Sequence, residues 1–286
     1  MYDTLIHPLE LQRLMDSGKP LRVFDCSFEL MDPAAGHRQY LEAHLPGAHH
    51  ADLEHDLSTL DPALRVNGGR HPLPQREVFL QWIQRMGVHH DTQVVVYDRQ
   101  GMLHCGRLWW MLQWCGHAAV AVLDGGLAGW QAAGGAVVGG EEALPAESGF
   151  ALRPPLVKWV DTATVAQGLS GGQQVLIDAR ATPRFRGEVE PLDPVAGHIP
   201  GALNRPYGQN IASNGCFKPA AELRAEFEAL LAGRSAAHVI HHCGSGVSAI
   251  PNILGMRLAG LGTPALYAGS WSEWCNTPGL HVARGD

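Results

Sequence analysis

One cysteine stands in a setting suited to nucleophilic chemistry. It is Cys243 in the run His241-His242-Cys243-Gly244-Ser245-Gly246-Val247-Ser248-Ala249. The apolar stretch His238-Val239-Ile240 reads as a buried strand that stops at the cysteine, and a helical pattern resumes from about Val247 to Ala259. A strand-to-helix turn of this kind aims several backbone N–H groups at one point, with the positive end of the helix behind it. Such a position favours the thiolate, the nucleophilic form of cysteine. The alternative is a buried structural cysteine at a strand end. Gly244 and Gly246 would give the loop unusual backbone angles and keep a Cβ out of the way. Ser245 and Ser248 add hydroxyl donors, and Ser248 could also cap the helix. Pro251 fits the first helical turn, where its missing N–H has no intrahelical partner to lose. A cysteine phosphatase would need an arginine within the loop, and no arginine lies between Cys243 and Met256.

The elements that must hold this loop recur along the chain. A helix is predicted over Pro8 to Ser17, a strand over Leu21 to Asp25, and a polar loop from there to Leu45-Pro46-Gly47-Ala48. A helix over Pro74 to Met86, a strand over Val94 to Tyr97, a helix over Leu103 to Trp114 and a strand over Ala119 to Leu123 follow, then a short helix to Ala132. Strands without polar alternation, alternating with helices, predict an α/β fold: a parallel sheet with helices on both faces. The second half repeats the plan: Asp25 matches Asp178, Pro46-Gly47-Ala48 matches Pro200-Gly201-Ala202, and Trp130 matches Trp274. The chain is thus read as a tandem duplication, with domains over 1–133 and 157–286 and a Gly- and Pro-rich linker over 134–156. The repeat sets Asp98 at the position of Cys243. A carboxylate there can be a stable anion but cannot accept sulfur, so the first copy is expected to be inactive.

Composition narrows the class. The 286 residues carry a net charge of −7, which gives no support to nucleic-acid binding or to an anionic membrane surface. No apolar run reaches the length of a membrane span and no signal peptide is visible, so a cytoplasmic enzyme is the expectation. The six cysteines show neither a CxxC pair nor zinc spacing and are read as free thiols. The histidine doublets put neighbours on opposite faces of extended segments, which argues against metal ligation. The tryptophans Trp109, Trp110, Trp114, Trp130, Trp271 and Trp274 are expected to pack in cores and interfaces.

The Cys-Gly-Ser-Gly-Val-Ser loop resembles that of the two-domain rhodanese-like sulfurtransferases, closest to their mercaptopyruvate branch. Three further blocks carry the resemblance across nearly the whole chain. They are Asp178-Ala179-Arg180 with Arg184-Phe185-Arg186-Gly187 and Gly197-His198-Ile199-Pro200-Gly201-Ala202, then Asp124-Gly125-Gly126, and Gly269-Ser270-Trp271. The resemblance implies two rhodanese-like domains with the second catalytic and the site at the cleft between them. It implies that Arg184 grips the anionic end of a donor, which suits the planar guanidinium fork, while Asp178 and Arg180 hold the loop. Gly244, Gly246, Val247 and Ser248 would line the donor pocket. An acidic residue and a histidine from the first half would work with the loop serine, and the matching residues are Glu54, His71 and Ser245. Glu54 departs from the family's aspartate. Leu192 stands where that branch has a second arginine, so one anion contact is missing.

The expected chemistry is a double displacement in which Cys243 takes sulfur from a small anionic donor as a persulfide and passes it on. The acceptor would be cyanide, a small thiol or a reduced thioredoxin-like protein, with no metal or organic cofactor. 3-Mercaptopyruvate is the favoured donor. Thiosulfate, by the same persulfide mechanism, is the alternative. A non-enzymatic sulfur-relay or binding module and a redox-sensing thiol are the remaining readings, and the intact cysteine loop and lack of a nearby resolving cysteine weigh against them.

Overall fold

In a computed structural model, residues 1–171 and 174–286 are described. The chain forms two compact units that exchange segments along the sequence. The first comprises Met1–Thr59, Pro74–Leu156 and Ala212–Phe217; the second comprises Leu60–Leu73, Val157–Ile211 and Lys218–Asp286.

The first unit is built on β1 (Leu5–Ile6), β2 (Leu21–Asp25), β3 (Ala48–His50), β4 (Gln93–Tyr97) and β5 (Val120–Leu123), all parallel, in the order β1-β5-β4-β2-β3. The second contains β6 (Trp159–Val160), β7 (Val175–Asp178), β8 (Leu203–Asn204), β9 (Val239–His242) and β10 (Ala265–Tyr267), parallel in the order β6-β10-β9-β7-β8. The two orders are the same when each half is counted from its own first strand, which establishes the tandem α/β duplication. Central strands β4 and β9 are buried along their whole length, as expected where helices cover a parallel sheet.

Helices α1 (Pro8–Asp16), α2 (Ala34–Glu42), α3 (Arg76–Arg85), α4 (Cys105–Trp114) and α5 (Gly126–Ala132) belong to the first unit, and α6 (Thr162–Gly171), α7 (Thr182–Arg186), α8 (Ala220–Leu231), α9 (Ile250–Leu258) and α10 (Ser270–Trp274) to the second. All ten residues of α4 are buried, the mark of a helix packed on every side. Trp130 lies in the core of the first unit with Leu11, Val23 and Val95. Its repeat partner Trp274 lies in the second core with Leu176, Phe185 and Trp271.

Three local expectations need correction. The polar loop after β2 contains α2, a helix whose N-cap, Pro33, offers no side-chain hydrogen bond. Packing replaces the missing signal: a Cβ on Gly36 would lie 2.0 Å from the Ser27 carbonyl oxygen, so the helix rests directly on the preceding backbone. The helix after Cys243 starts at Ile250, not Val247, because residues 244–249 are spent in the loop. Its N-cap is Ala249 with no side-chain cap, so Ser248 does not cap it.

The glycine-rich stretch after α5 is tied to the first unit. Val138 and His44 exchange backbone hydrogen bonds, Ser148 N–H donates to Gln84 O, and Phe150 is buried.

Candidate active site

In the second sheet the chain leaves β7 toward β8 on one side and returns on the other side as β9. Open α/β sheets bind ligands beyond the carboxyl ends of the strands at such a reversal. Asp178 ends β7 beside His242 of β9, and Cys243 follows immediately. Both strand ends are locked from within. Arg180 donates to Asp178 through Nε (3.0 Å) and Nη2 (2.6 Å), and Nη2 also reaches Gly197 O at 2.7 Å. Burial alone would raise the Asp178 carboxyl, but His242 and Arg180 outweigh it and hold the group below its ordinary range. Arg180 also lies 4.6 Å over the Trp271 ring. Asp178 and Arg180 are thus structural, buried residues that fix the strand end. Burial pushes both neighbouring imidazoles down, His241 to about 3.

Cys243 is 1% exposed. Its N–H donates to Ser270 Oγ at 3.1 Å, and its carbonyl accepts from Trp271 N–H at 2.9 Å. The Gly244 carbonyl accepts from Ser272 N–H at 2.9 Å. The start of α10 therefore holds the first two residues of the loop. The glycines do different jobs. Gly246 has φ +75, and a Cβ there would lie 2.3 Å from Ala268 O. Gly244 does not have a positive φ, contrary to expectation; its missing Cβ leaves space beside Arg70 Nη2 (3.3 Å) and Arg184 Nη1 (3.7 Å). Val247 and Ser245 are buried, and Ser248 is half-buried.

The first unit carries the same loop with its anion already in place. Asp98 follows β4 as Cys243 follows β9, and six residues lie between each and the first residue of the next helix, Cys105 or Ile250. Four backbone N–H groups converge on the Asp98 carboxylate: Gln100 (3.0 Å) and Met102 (2.8 Å) on Oδ1, His104 (2.7 Å) and Cys105 (2.9 Å) on Oδ2. In register with Gln100, Met102 and His104 stand Ser245, Val247 and Ala249. Among the described residues the N–H groups of these three meet no protein acceptor, whereas Ile250 N–H donates to Val247 O. The loop after Asp98 is thus an anion cradle filled by its own side chain, and the loop after Cys243 has the same spacing with a thiol in place of the carboxylate.

The segment Leu60–Leu73 clusters with the second unit and brings two side chains to this loop. Gly68 N–H donates to Glu273 Oε1 (3.1 Å) and Arg70 N–H to Ser272 Oγ (3.0 Å), while Asn67 Oδ1 accepts from Leu73 N–H (3.0 Å). These bonds pin the segment to α10, the helix that also holds the loop. His71 Nδ1 and Ser245 Oγ share a hydrogen bond of 2.8 Å, and both residues are buried. The expected His71–Ser245 pair is therefore brought together, 174 residues apart in sequence.

Arg184, on α7, donates to Glu190 Oε1 through Nη2 at 2.6 Å and lies 3.3 Å from Asp193. Arg70 bonds the same Asp193 through Nη1 (3.0 Å) and Nη2 (3.4 Å). Arg70 and Asp193 are not marked as site residues by the sequence pattern, whose second arginine position, after Glu190-Pro191, holds Leu192. The signal was nevertheless present in Gly69-Arg70-His71-Pro72, where the arginine adjoins the expected histidine. Glu54 lies in the first unit, exposed on a turn where its N–H donates to Asp52 Oδ1 at 2.8 Å. It is not part of the second-unit cluster.

All six cysteines are free thiols. Burial pushes Cys26 and Cys105 well up, Cys115 and Cys275 to about 11, and Cys216 up as well. None of these five is placed to be a thiolate near neutral pH. Among the described residues no helix is long and apolar enough to cross a membrane, and no group of three or more His, Cys, Asp or Glu side chains could hold a metal ion.

Comparison with known proteins agrees with the duplicated fold. The family model for the Rhodanese-like domain matches residues 7–133 and again 161–277. A Pseudomonas aeruginosa protein named "Probable 3-mercaptopyruvate sulfurtransferase" is 48% identical over 272 residues, covering 94% of each chain. A Mycobacterium tuberculosis protein named "Putative thiosulfate sulfurtransferase SseB" is 40% identical over 285 residues, covering 98% of this chain and 97% of its own. Among solved structures, the 3-mercaptopyruvate sulfurtransferase from Leishmania major superposes with a TM-score of 0.84 at 30% identity, over 97% of this chain and 76% of the other.

Proposed function

Because the chain belongs to the rhodanese-like family and is a sulfurtransferase, we propose that it takes sulfur from 3-mercaptopyruvate and delivers it through a persulfide on Cys243. The Cys243 thiolate attacks the donor sulfur. The C–S bond breaks, its electron pair passes to C3 as the enolate of pyruvate, and a proton on C3 completes the product. The proton comes from the Ser245 hydroxyl, replenished through its hydrogen bond to His71. The outer sulfur of the persulfide rests in the cradle of loop N–H groups, as the Asp98 carboxylate rests in its own. Cyanide, a small thiol or a reduced thioredoxin-like protein then attacks that sulfur; the S–S bond breaks and the Cys243 thiolate returns. The first unit, with Asp98 in the cradle, supports the second without turning over.

The observation that carries the donor assignment is the 2.8 Å His71–Ser245 bond beside the cysteine. A proton relay serves a donor whose leaving group is a carbanion equivalent. Thiosulfate leaves as sulfite and needs none. It stays the second reading because a relative at 40% identity carries a thiosulfate name. The test is sulfur transfer to cyanide by wild type, Cys243→Ser and His71→Ala. Loss of the general acid should lower kcat with mercaptopyruvate by about 10²-fold or more and spare thiosulfate turnover. Cys243→Ser should be inactive with both donors. Equal losses with both donors in His71→Ala would retire the relay, and activity in Cys243→Ser would retire the persulfide.

A further inference from the structure

The residue that holds the main chain of Cys243 has a backbone conformation that its side chain disfavours. Ser270, the first residue of α10, has a φ of +55, and among the described residues only Met102 and Ala232 share a positive φ without being glycine. The left-handed region is costly for a residue with a Cβ and open to glycine. The duplication supplies the comparison. Gly126 and Ser270 each stand four residues before a matched tryptophan, Trp130 or Trp274, and each begins the helix that follows the neighbouring strand. Gly126 has a φ of +57. The next N–H makes the same bond in both copies, from Leu127 to Asp98 O at 3.3 Å and from Trp271 to Cys243 O at 2.9 Å. The turn is therefore the same and the side chain differs. A Cβ on Gly126 would lie 2.5 Å from Asp98 O, so the second copy makes room for a side chain that the first cannot hold.

That side chain is fully buried, and its oxygen is used twice. Ser270 Oγ accepts the Cys243 N–H at 3.1 Å and donates to Tyr267 O at 2.9 Å. Tyr267 is the last residue of β10, Cys243 follows the last residue of β9, and the two strands are paired. The hydroxyl thus bridges two strand ends at the point where one of them delivers the thiol. Fixing the N–H of Cys243 fixes the direction of its Cα–Cβ bond, and with it the region its Sγ can reach. Strained backbone persists where the surrounding structure holds it, and it concentrates at working sites.

We infer that Ser270 is a positioning residue for the nucleophile: its hydroxyl holds the Cys243 main chain so that Sγ faces the N–H groups of the following loop, at the expense of a left-handed serine. The inference rests on the reading of Cys243 as the sulfur carrier. It assigns to α10 a part in setting the reactivity of the thiol, beyond holding the loop in place.

The test separates reactivity from stability in the full-length protein. Ser270→Gly installs the residue of the first copy, and Ser270→Ala removes the hydroxyl while keeping the strain. Alkylation of Cys243 by iodoacetamide is followed against pH by mass spectrometry of the Cys243 peptide, beside melting curves and sulfur transfer from 3-mercaptopyruvate to cyanide. In Ser270→Gly the melting temperature should stay close to wild type, because relief of the strain offsets the lost hydrogen bond. The midpoint of the alkylation profile should rise by about one pH unit, and kcat should fall about tenfold with KM within about twofold, since Ser270 meets the donor only through Cys243. Ser270→Ala should show the same midpoint shift at a lower melting temperature. Ser270→Gly decides alone if the alanine variant fails to fold. An unchanged midpoint and kcat in Ser270→Gly would overturn the inference, as would a fall in melting temperature with reactivity intact, which would leave Ser270 as a packing residue. A wild type that ignores mercaptopyruvate but shows the Ser270-dependent midpoint would refute the donor reading and uphold the positioning role.

Discussion

Replacing Asp98 by asparagine tests whether the loop after each central strand is built to hold an anion. The change alters one atom in a side chain that is 1% exposed. The carboxylate accepts four backbone N–H bonds of 2.7–3.0 Å, two on each oxygen. An asparagine offers one acceptor oxygen. Whichever way its amide turns, the NH2 meets two N–H donors, so two bonds are lost and two buried donors are stranded. Each stranded buried donor costs about 1–3 kcal/mol, and the bonds that survive lose their charge assistance. The expected loss is therefore about 3–5 kcal/mol, a large fraction of the stability of an ordinary domain. The assay is urea unfolding of wild type and Asp98→Asn followed by tryptophan fluorescence, since Trp109, Trp110 and Trp114 lie on the helix that the loop enters. With two units, unfolding need not be two-state, so the transition that moves identifies the unit affected. A loss below about 1 kcal/mol would show that the N–H groups do not depend on a charged acceptor. It would also remove the support that Asp98 lends to a persulfide cradle at Cys243.

Two further outcomes follow from the geometry. Gly246→Ala should destabilise by more than backbone strain alone, because its Cβ would meet Ala268 O at 2.3 Å at a φ of +75. Gly201→Ala is the control, with a φ of +77 and nothing within 4 Å. It should cost only the strain of about 1–2 kcal/mol, and equal melting temperatures for the two variants would contradict the close approach. Acid should destabilise the fold through buried imidazoles. His241 and His117 are held by burial at about 3 and about 4, below the ordinary 6.5. Below about pH 6.5 the unfolded chain therefore binds more protons than the folded one, and stability falls as pH drops toward those folded values. Each imidazole contributes up to about 1.4 kcal/mol per pH unit in that window. Melting curves between pH 7 and pH 5 should fall less steeply for His241→Leu than for wild type, and parallel curves would refute this account.

The sequence by itself determined the plan of the molecule. Strands without polar alternation, separated by short helices, require burial on both faces, and this is a local pattern that needs no tertiary knowledge. The matched pairs Asp25–Asp178 and Trp130–Trp274 revealed the duplication because each copy must satisfy the same packing. The candidate nucleophile Cys243 was legible as a cysteine set between an apolar run and two glycines. Weak local signals failed where packing supplied the order. Helix α2 has no side-chain cap and a glycine in its first turn, and it stands because Gly36 rests against Ser27.

What only the tertiary structure decided is the company the cysteine keeps. Two N–H donors, on Gly68 and Arg70, pin a segment of the first half to α10. That anchoring sets His71 against Ser245 and Arg70 against Gly244. No spacing encodes contacts across 174 residues; they follow from which segment docks on which helix. The charge of the site has the same origin. Arg184 was visible in its motif, but its pairing with Glu190 and Asp193, and through Asp193 with Arg70, depends on four side chains meeting within hydrogen-bond reach. Periodicity settles which residues are buried, because it is a property of one element. A site assembled from several elements is settled only by how they pack.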